Sequence, residues 1–174
     1  MLNIEFGSGP NPTPGFLSTD VNCSHKVDFC GEPWKLDIEN DSVDTFLALG
    51  VMEHLEYDNF DKTLSFVNKK LKKGGSFFFD VPDITIWARY LVDFYDNKDV
   101  PFEEDHIWAT LYGWQRWKGD EHKSGWSKRK ILEQVNKYSW TLVSEGVDLF
   151  LSSGFERRRM GRPHDAHIYL KLVK

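Results

Sequence analysis

Near its start the chain reads LNIEFGSGPNPTPGFLSTDV, Leu2 to Val21. One apolar run ends in an acid and two glycines, Glu5-Phe6-Gly7-Ser8-Gly9, and a second ends on Asp20-Val21. Glycines let backbone approach a ligand closely, and an acid at a strand end can grip a ribose diol. A dinucleotide site asks for more. It needs a glycine-rich turn feeding a helix that holds the pyrophosphate, and an acid about 20 residues on. Here Pro12 stands where the third glycine belongs, and Asp20 follows Gly9 by only 11 residues. That leaves no room for a helix, and Pro10, Pro12 and Pro14 would disrupt one. The loop suits a nucleoside ligand without phosphates.

Other positions could do chemistry, each with a plainer alternative. Glu32-Pro33 sits in a Gly-Glu-Pro turn and could face the same ligand. Leu49-Gly50 ends an apolar run, where it would either line a ligand or merely pack. Glu53 suits a helix start by its charge. His54 is a candidate base or substrate orienter, as are His122 and Asp83. Tyr112 and Gln115 are candidate substrate-side hydrogen-bonding groups. Trp87, Trp108, Trp114 and Trp117 could frame a substrate or simply fill a core. No metal site is expected. No second histidine follows Glu53-His54 at helical spacing, and His164 and His167 have no third ligand nearby in sequence.

These residues need a scaffold. Strands are expected over Leu2–Phe6, Phe16–Val21, Lys26–Cys30, Val43–Val51, Ser76–Val81, Trp140–Asp148 and His167–Val173. A helix is expected over Asp58–Leu71, with Phe60, Leu64, Val67 and Leu71 on one face and Gly74-Gly75 stopping it. Two more are expected over Ile84–Tyr95 and, capped by Ser127, over Lys128–Tyr138. Residues 96–126 show no clear period. The alternation implies an α/β, Rossmann-like, mostly parallel sheet with helices on both faces and an antiparallel C-terminal strand, a three-layer sandwich. Ligands in such sheets bind outside the carboxyl ends of the strands, where the opening loop lies.

At 174 residues the chain is expected to form one domain, 1–174, with 84–126 as a cap inserted on the substrate side. No apolar stretch approaches the roughly 20 residues of a membrane span, and no basic-then-apolar leader is present. Cys23 and Cys30 are read as free thiols in a reducing cytoplasm. Residues 1–68 carry 3 Lys/Arg against 12 Asp/Glu. That acidic half argues against nucleic acid and tolerates a cationic ligand. The basic run Arg157–Arg162 is read as a solvated loop.

Five blocks in order resemble the small class I S-adenosylmethionine-dependent methyltransferases, near the branch called type 11. The first is Glu5 to Gly9, continued by the GPNPTPG loop to Asp20. GEPWKLDIENDSVDTF, Gly31 to Phe46, is similar to the family's Gly-Asp…Leu-Pro-Phe…Asp-Asn-Ser-Val-Asp pattern, with Asp37-Ile38 replacing Pro-Phe. LALGVMEHL, Leu47 to Leu55, resembles its fourth strand and Glu-His-Leu. LKKGGSFFFDVPD, Leu71 to Asp83, resembles Leu-Lys-Pro-Gly-Gly and the next strand, and LYGWQ with HKSGW resembles the substrate side.

The resemblance implies S-adenosylmethionine as cofactor. Glu5, Gly7, Ser8, Gly9, Asp20, Val21, Glu32, Pro33, Leu49 and Gly50 would hold it, with Asp20 on the ribose and Glu32 at the adenine. It implies methyl transfer to an acceptor expected to be a small molecule. Orientation would carry most of the catalysis, with a base needed only if the acceptor must lose a proton. The alternative is an inactive module that binds the cofactor without turnover.

Overall fold

The computed structural model describes residues 1–145 and 166–174. In chain order the elements are β1 (Asn3–Phe6), β2 (Leu17–Asp20), β3 (Phe29–Cys30), a 3₁₀ turn (Pro33–Lys35), β4 (Val43–Ala48) and a second 3₁₀ turn (Met52–His54). Then come α1 (Tyr57–Lys70), β5 (Leu71–Pro82), α2 (Ile84–Tyr95), α3 (Glu104–Tyr112), α4 (Lys128–Val135), β6 (Thr141–Glu145) and β7 (His167–Val173). Residues 146–148 of the expected sixth strand, the basic run Arg157–Arg162 and His164 lie outside the described residues.

Among the described residues seven strands form one sheet in the order β3-β2-β1-β4-β5-β7-β6. The first five pair in parallel, and β7 runs antiparallel to both neighbours. The chain order reverses between β1 and β4, so a crevice opens at the carboxyl ends of those strands. β4 and β5 are apolar on both faces because both faces are covered. Ile4, Phe6, Phe46, Phe77, Phe79 and Leu170 join Phe60, Leu64 and Val67 of α1 and Ile131 and Val135 of α4 in the main core. Burying each large side chain contributes roughly 1.5–3 kcal/mol. On the opposite face Leu47, Phe78 and Tyr169 form a smaller cluster closed by Phe16 and Leu49.

Local departures from the sequence expectation have physical causes. The helix expected to run to the glycine pair ends at Lys70, because Leu71 turns extended and pairs with Val43 in the sheet. Gly74 and Gly75 therefore lie inside β5, where the pairing with β4 shifts register between Val43 and Thr45. Helix α3 arises within the stretch that showed no period. Its Glu103 cap makes no side-chain bond, so tertiary packing on α2 holds it: Trp87 stacks near Phe102 and His106, with Ile107 buried beside them.

The cysteines correct the sequence reading outright. Cys23 and Cys30 form a disulfide, with Cα atoms 5.3 Å apart, and no free thiol remains. Cys30 ends β3 opposite Asp20, and the loop after β2 turns back immediately, bringing Cys23 alongside. The argument for a reducing compartment from free thiols thus falls away. Among the described residues no helix is long and apolar enough to cross a membrane.

Candidate functional site

The cleft at the carboxyl ends of the strands has a volume of about 160 Å³. Gly7 from the end of β1, Thr19, Asp20 and Val21 from β2, and Gly31, Glu32, Pro33 and Trp34 after β3 line it. Val51, His54, Leu55 and Glu56 come from the segment after β4, Asn59 from α1, and Gly119 and Lys123 from the segment following α3. Two larger hollows, of about 710 and 530 Å³, lie on the α2–α3 region. The smaller cleft is the candidate site because strand ends floor it and five of the cofactor residues expected from sequence line it: Gly7, Asp20, Val21, Glu32 and Pro33.

The opening loop answers how ten residues can join two adjacent parallel strands without a helix. Its own acids hold it. Thr13 N–H donates to Glu5 Oε2 at 2.8 Å, Gly9 N–H to Asp20 Oδ2 at 2.8 Å, and Asn22 N–H to Asp20 Oδ1 at 2.7 Å. Ser8 N–H donates to the Thr19 carbonyl at 2.9 Å, locking the loop to β2. His25 Nδ1 lies 3.2 Å from Asp20 Oδ2. Glu5, Ser8 and Gly9, expected to hold the cofactor, do not line the cleft: Glu5 anchors the loop, and Ser8 and Gly9 tie it to β2 through their backbone. Asp20 does both jobs: it fastens the loop and faces the cleft.

Gly7 has φ +57°, and a Cβ there would stand 2.4 Å from Val51 Cγ2. Both the left-handed backbone and the close approach of the segment after β4 require glycine. Gly7→Ala should cost about 1–2 kcal/mol of stability, from backbone strain and from Val51 pushed toward the ligand. Adding Val51→Ala should return only the packing part, which urea unfolding of the single and double variants would separate.

The other expected positions divide. Glu32 caps the first 3₁₀ turn, where Pro33 takes the first position, and pairs with Lys35 at the cleft rim. Val21 is 64% exposed on that rim. Leu49 packs on the smaller core cluster, and Gly50 N–H donates to Asp80 Oδ1 at 2.9 Å, so both support the cleft from behind. Tyr112 is 56% exposed, stacks on Trp108 and, with Gln115, lines the 530 Å³ hollow outside this cleft.

The three candidate catalytic residues do not meet. Asp83 caps α2, its Oδ1 accepting from Thr85 N–H at 2.9 Å and from the Thr85 hydroxyl at 2.6 Å. Asp83→Ala should therefore cost about 1 kcal/mol, while Asp83→Asn should keep the cap and near-parental stability in urea unfolding. Equal losses in the two variants would rule the capping role out. His54 and His122, 68 positions apart, do come together, with ring centroids 4.8 Å apart at 82°. Backbone bonds set this up: Lys123 and Ser124 N–H donate to the Glu53 carbonyl, at 2.9 and 3.1 Å. His122 N–H donates to the Tyr112 carbonyl at 3.0 Å across the turn at Gly113, where a Cβ would lie 2.0 Å from the Asp120 carbonyl. Burial, and then the neighbouring His54, push the His122 imidazole down to about 4, so it is neutral near pH 7.

Sequence reading missed Thr19, Gly31, Trp34, Val51, Leu55, Glu56, Asn59, Gly119 and Lys123 as cleft residues. Thr19, Gly31, Trp34, Val51, Leu55 and Lys123 stood inside blocks already singled out, but nothing local marks Glu56, Asn59 or Gly119.

The acids Asp20, Glu32 and Glu56 outnumber Lys123 around the cleft, and the loop offers no helix N-terminus. That surround suits a cationic ligand. No protein-family model matches the chain, and no curated protein matches it in sequence. Solved structures do match in fold. A protein from Pyrococcus horikoshii OT3 superposes at TM-score 0.62 and 14% identity, over 98% of this chain and 80% of that one. An S-adenosylmethionine-dependent methyltransferase from Clostridium acetobutylicum ATCC 824 gives 0.61 and 13%, over 98% and 82%. One from Mesorhizobium loti gives 0.61 and 12%, over 99% and 90%. In fold the chain is similar to the class I S-adenosylmethionine-dependent methyltransferases.

Proposed function

We propose that this protein is an S-adenosylmethionine-dependent methyltransferase acting on a small-molecule acceptor. One observation carries the reading: Asp20 faces an acid-rimmed cleft at the end of β2, beside a glycine loop too short for a helix. When bound, the cofactor supplies an activated methyl group on a sulfonium. Asp20 would accept the ribose hydroxyls, Val21, Pro33 and Trp34 would cover the adenine, and Glu32 would face its amino group. Gly7 and its neighbours would leave room for the amino-acid tail. The segment 84–126 would act as the substrate-side cap, since Gly119 and Lys123 reach the cleft and His122 is docked beside it. The chain's contribution to rate is then to align the acceptor and exclude water. The acidic surround favours a small acceptor over nucleic acid.

Calorimetry with S-adenosylmethionine, its demethylated product and NAD tests the cofactor. Binding of the first two in the micromolar to millimolar range, roughly 4–8 kcal/mol, is expected, with no response to NAD. Silence toward both at millimolar ligand, with folded protein, defeats the reading. Formation of demethylated cofactor during an acceptor screen separates an enzyme from an inactive binding module.

A further inference from the structure

We propose that Glu53, His54 and His122 bind one divalent transition-metal ion of the zinc class at the inner edge of the cleft. One ligand atom from each residue lies within 4.8 Å of the other two, although His122 comes from a distant part of the chain. Backbone carbonyls orient both imidazoles. His54 Nδ1 lies 3.1 Å from the Glu121 carbonyl, and His122 Nδ1 lies 2.7 Å from that of Thr110. A carbonyl can only accept, so each Nδ1 carries the proton and each Nε2 keeps its lone pair. Metal-ligating histidines are held in just this way, with one ring nitrogen bound to a carbonyl and the other to the ion. Glu53, 4% exposed, adds a carboxylate.

Two imidazoles and a carboxylate form a donor set used for Zn²⁺ and for other divalent transition metals. Ligand atoms about 2.1 Å from one tetrahedral ion stand about 3.4 Å apart, so a pair now at the 4.8 Å limit must close by about 1.4 Å. Binding therefore requires the two rings and the carboxylate to draw together on the ion. Three protein ligands leave coordination positions open, and His54 lines the cofactor cleft, so an oxygen-bearing acceptor could take one of them. The site also ties the segment before α1 to the segment after α3, so the ion would strengthen their docking. The role toward an acceptor rests on the methyltransferase reading, but the metal site itself does not.

The test uses the full chain freed of metal by EDTA and titrated with Zn²⁺ and Co²⁺, without cofactor. One equivalent of Zn²⁺ binding at micromolar or tighter affinity is expected, with a raised melting temperature. At one equivalent Co²⁺ should give a visible d–d absorption band. His54→Gln and His122→Gln should each weaken Zn²⁺ binding at least a hundredfold. Absence of stoichiometric binding and of the Co²⁺ band in the parent protein overturns the proposal, as does unchanged affinity in both folded variants. The Co²⁺ spectrum needs no variant, so a variant that fails to fold leaves the test decisive. Cofactor calorimetry in EDTA is independent, so failure of the metal site and failure of the cofactor reading are distinguishable.

Discussion

Replacing Asp20 with alanine should weaken S-adenosylmethionine binding ten- to a hundredfold, about 1.4–3 kcal/mol. Two losses combine. A charge-assisted bond from a ribose hydroxyl goes. So do the acceptors for Gly9 N–H and Asn22 N–H, which fasten the loop that forms the cleft wall. Because those amides belong to surface loops, water can take them up, and the fold should survive with a modestly lowered melting temperature. Asp20→Asn separates the parts. Its carbonyl can still accept from Asn22 N–H, but its amide cannot accept from Gly9. Calorimetry should rank parent, asparagine and alanine in falling affinity. Equal affinity across the three would place the nucleoside elsewhere.

The opening loop was legible because proline and glycine leave few options over so short a span. From them follow the lack of a helix and the strand end at Asp20. What Asp20 and Glu5 do inside the loop was not legible, since their partners are backbone amides that no side-chain pattern betrays. The apolar runs of β4 and β5 identified buried strands, yet Leu71 was read as helix because its period suits α1 until the sheet claims it. The meeting of His54 with His122 was invisible for a different reason. A search at helical spacing cannot see an imidazole brought in by backbone bonds from a segment 68 residues away. The disulfide escaped for a related one, because only the tight turn after β2 tells that Cys23 folds back to Cys30.

Asp80→Ala should cost about 2–5 kcal/mol in urea unfolding, the largest stability effect expected of a single change near the cleft. Asp80 is fully buried on β5, and its two oxygens accept from different elements. Oδ1 takes Gly50 N–H at 2.9 Å, and Oδ2 lies 3.0 Å from His167 Nδ1 on the adjacent β7. Alanine removes both acceptors from a fully buried position, and each donor left without its partner costs about 1–3 kcal/mol. Against a total stability on the order of 5–15 kcal/mol, that is a large share. The loss should also reach the cleft. Gly50 directly precedes Val51, which packs against Gly7, so freeing the Gly50 amide loosens the contact that shapes the ligand wall. Asp80→Asn should fall between, because its carbonyl can keep Gly50 while its amide meets His167 only if that ring's proton moves to Nε2. Combining Asp80→Ala with His167→Phe should cost less than the sum of the single changes, because the second change removes the donor that the first strands. Full additivity of the two, or a loss under 1 kcal/mol for Asp80→Ala, would show that this bridge does not hold β4, β5 and β7 together at the edge of the site.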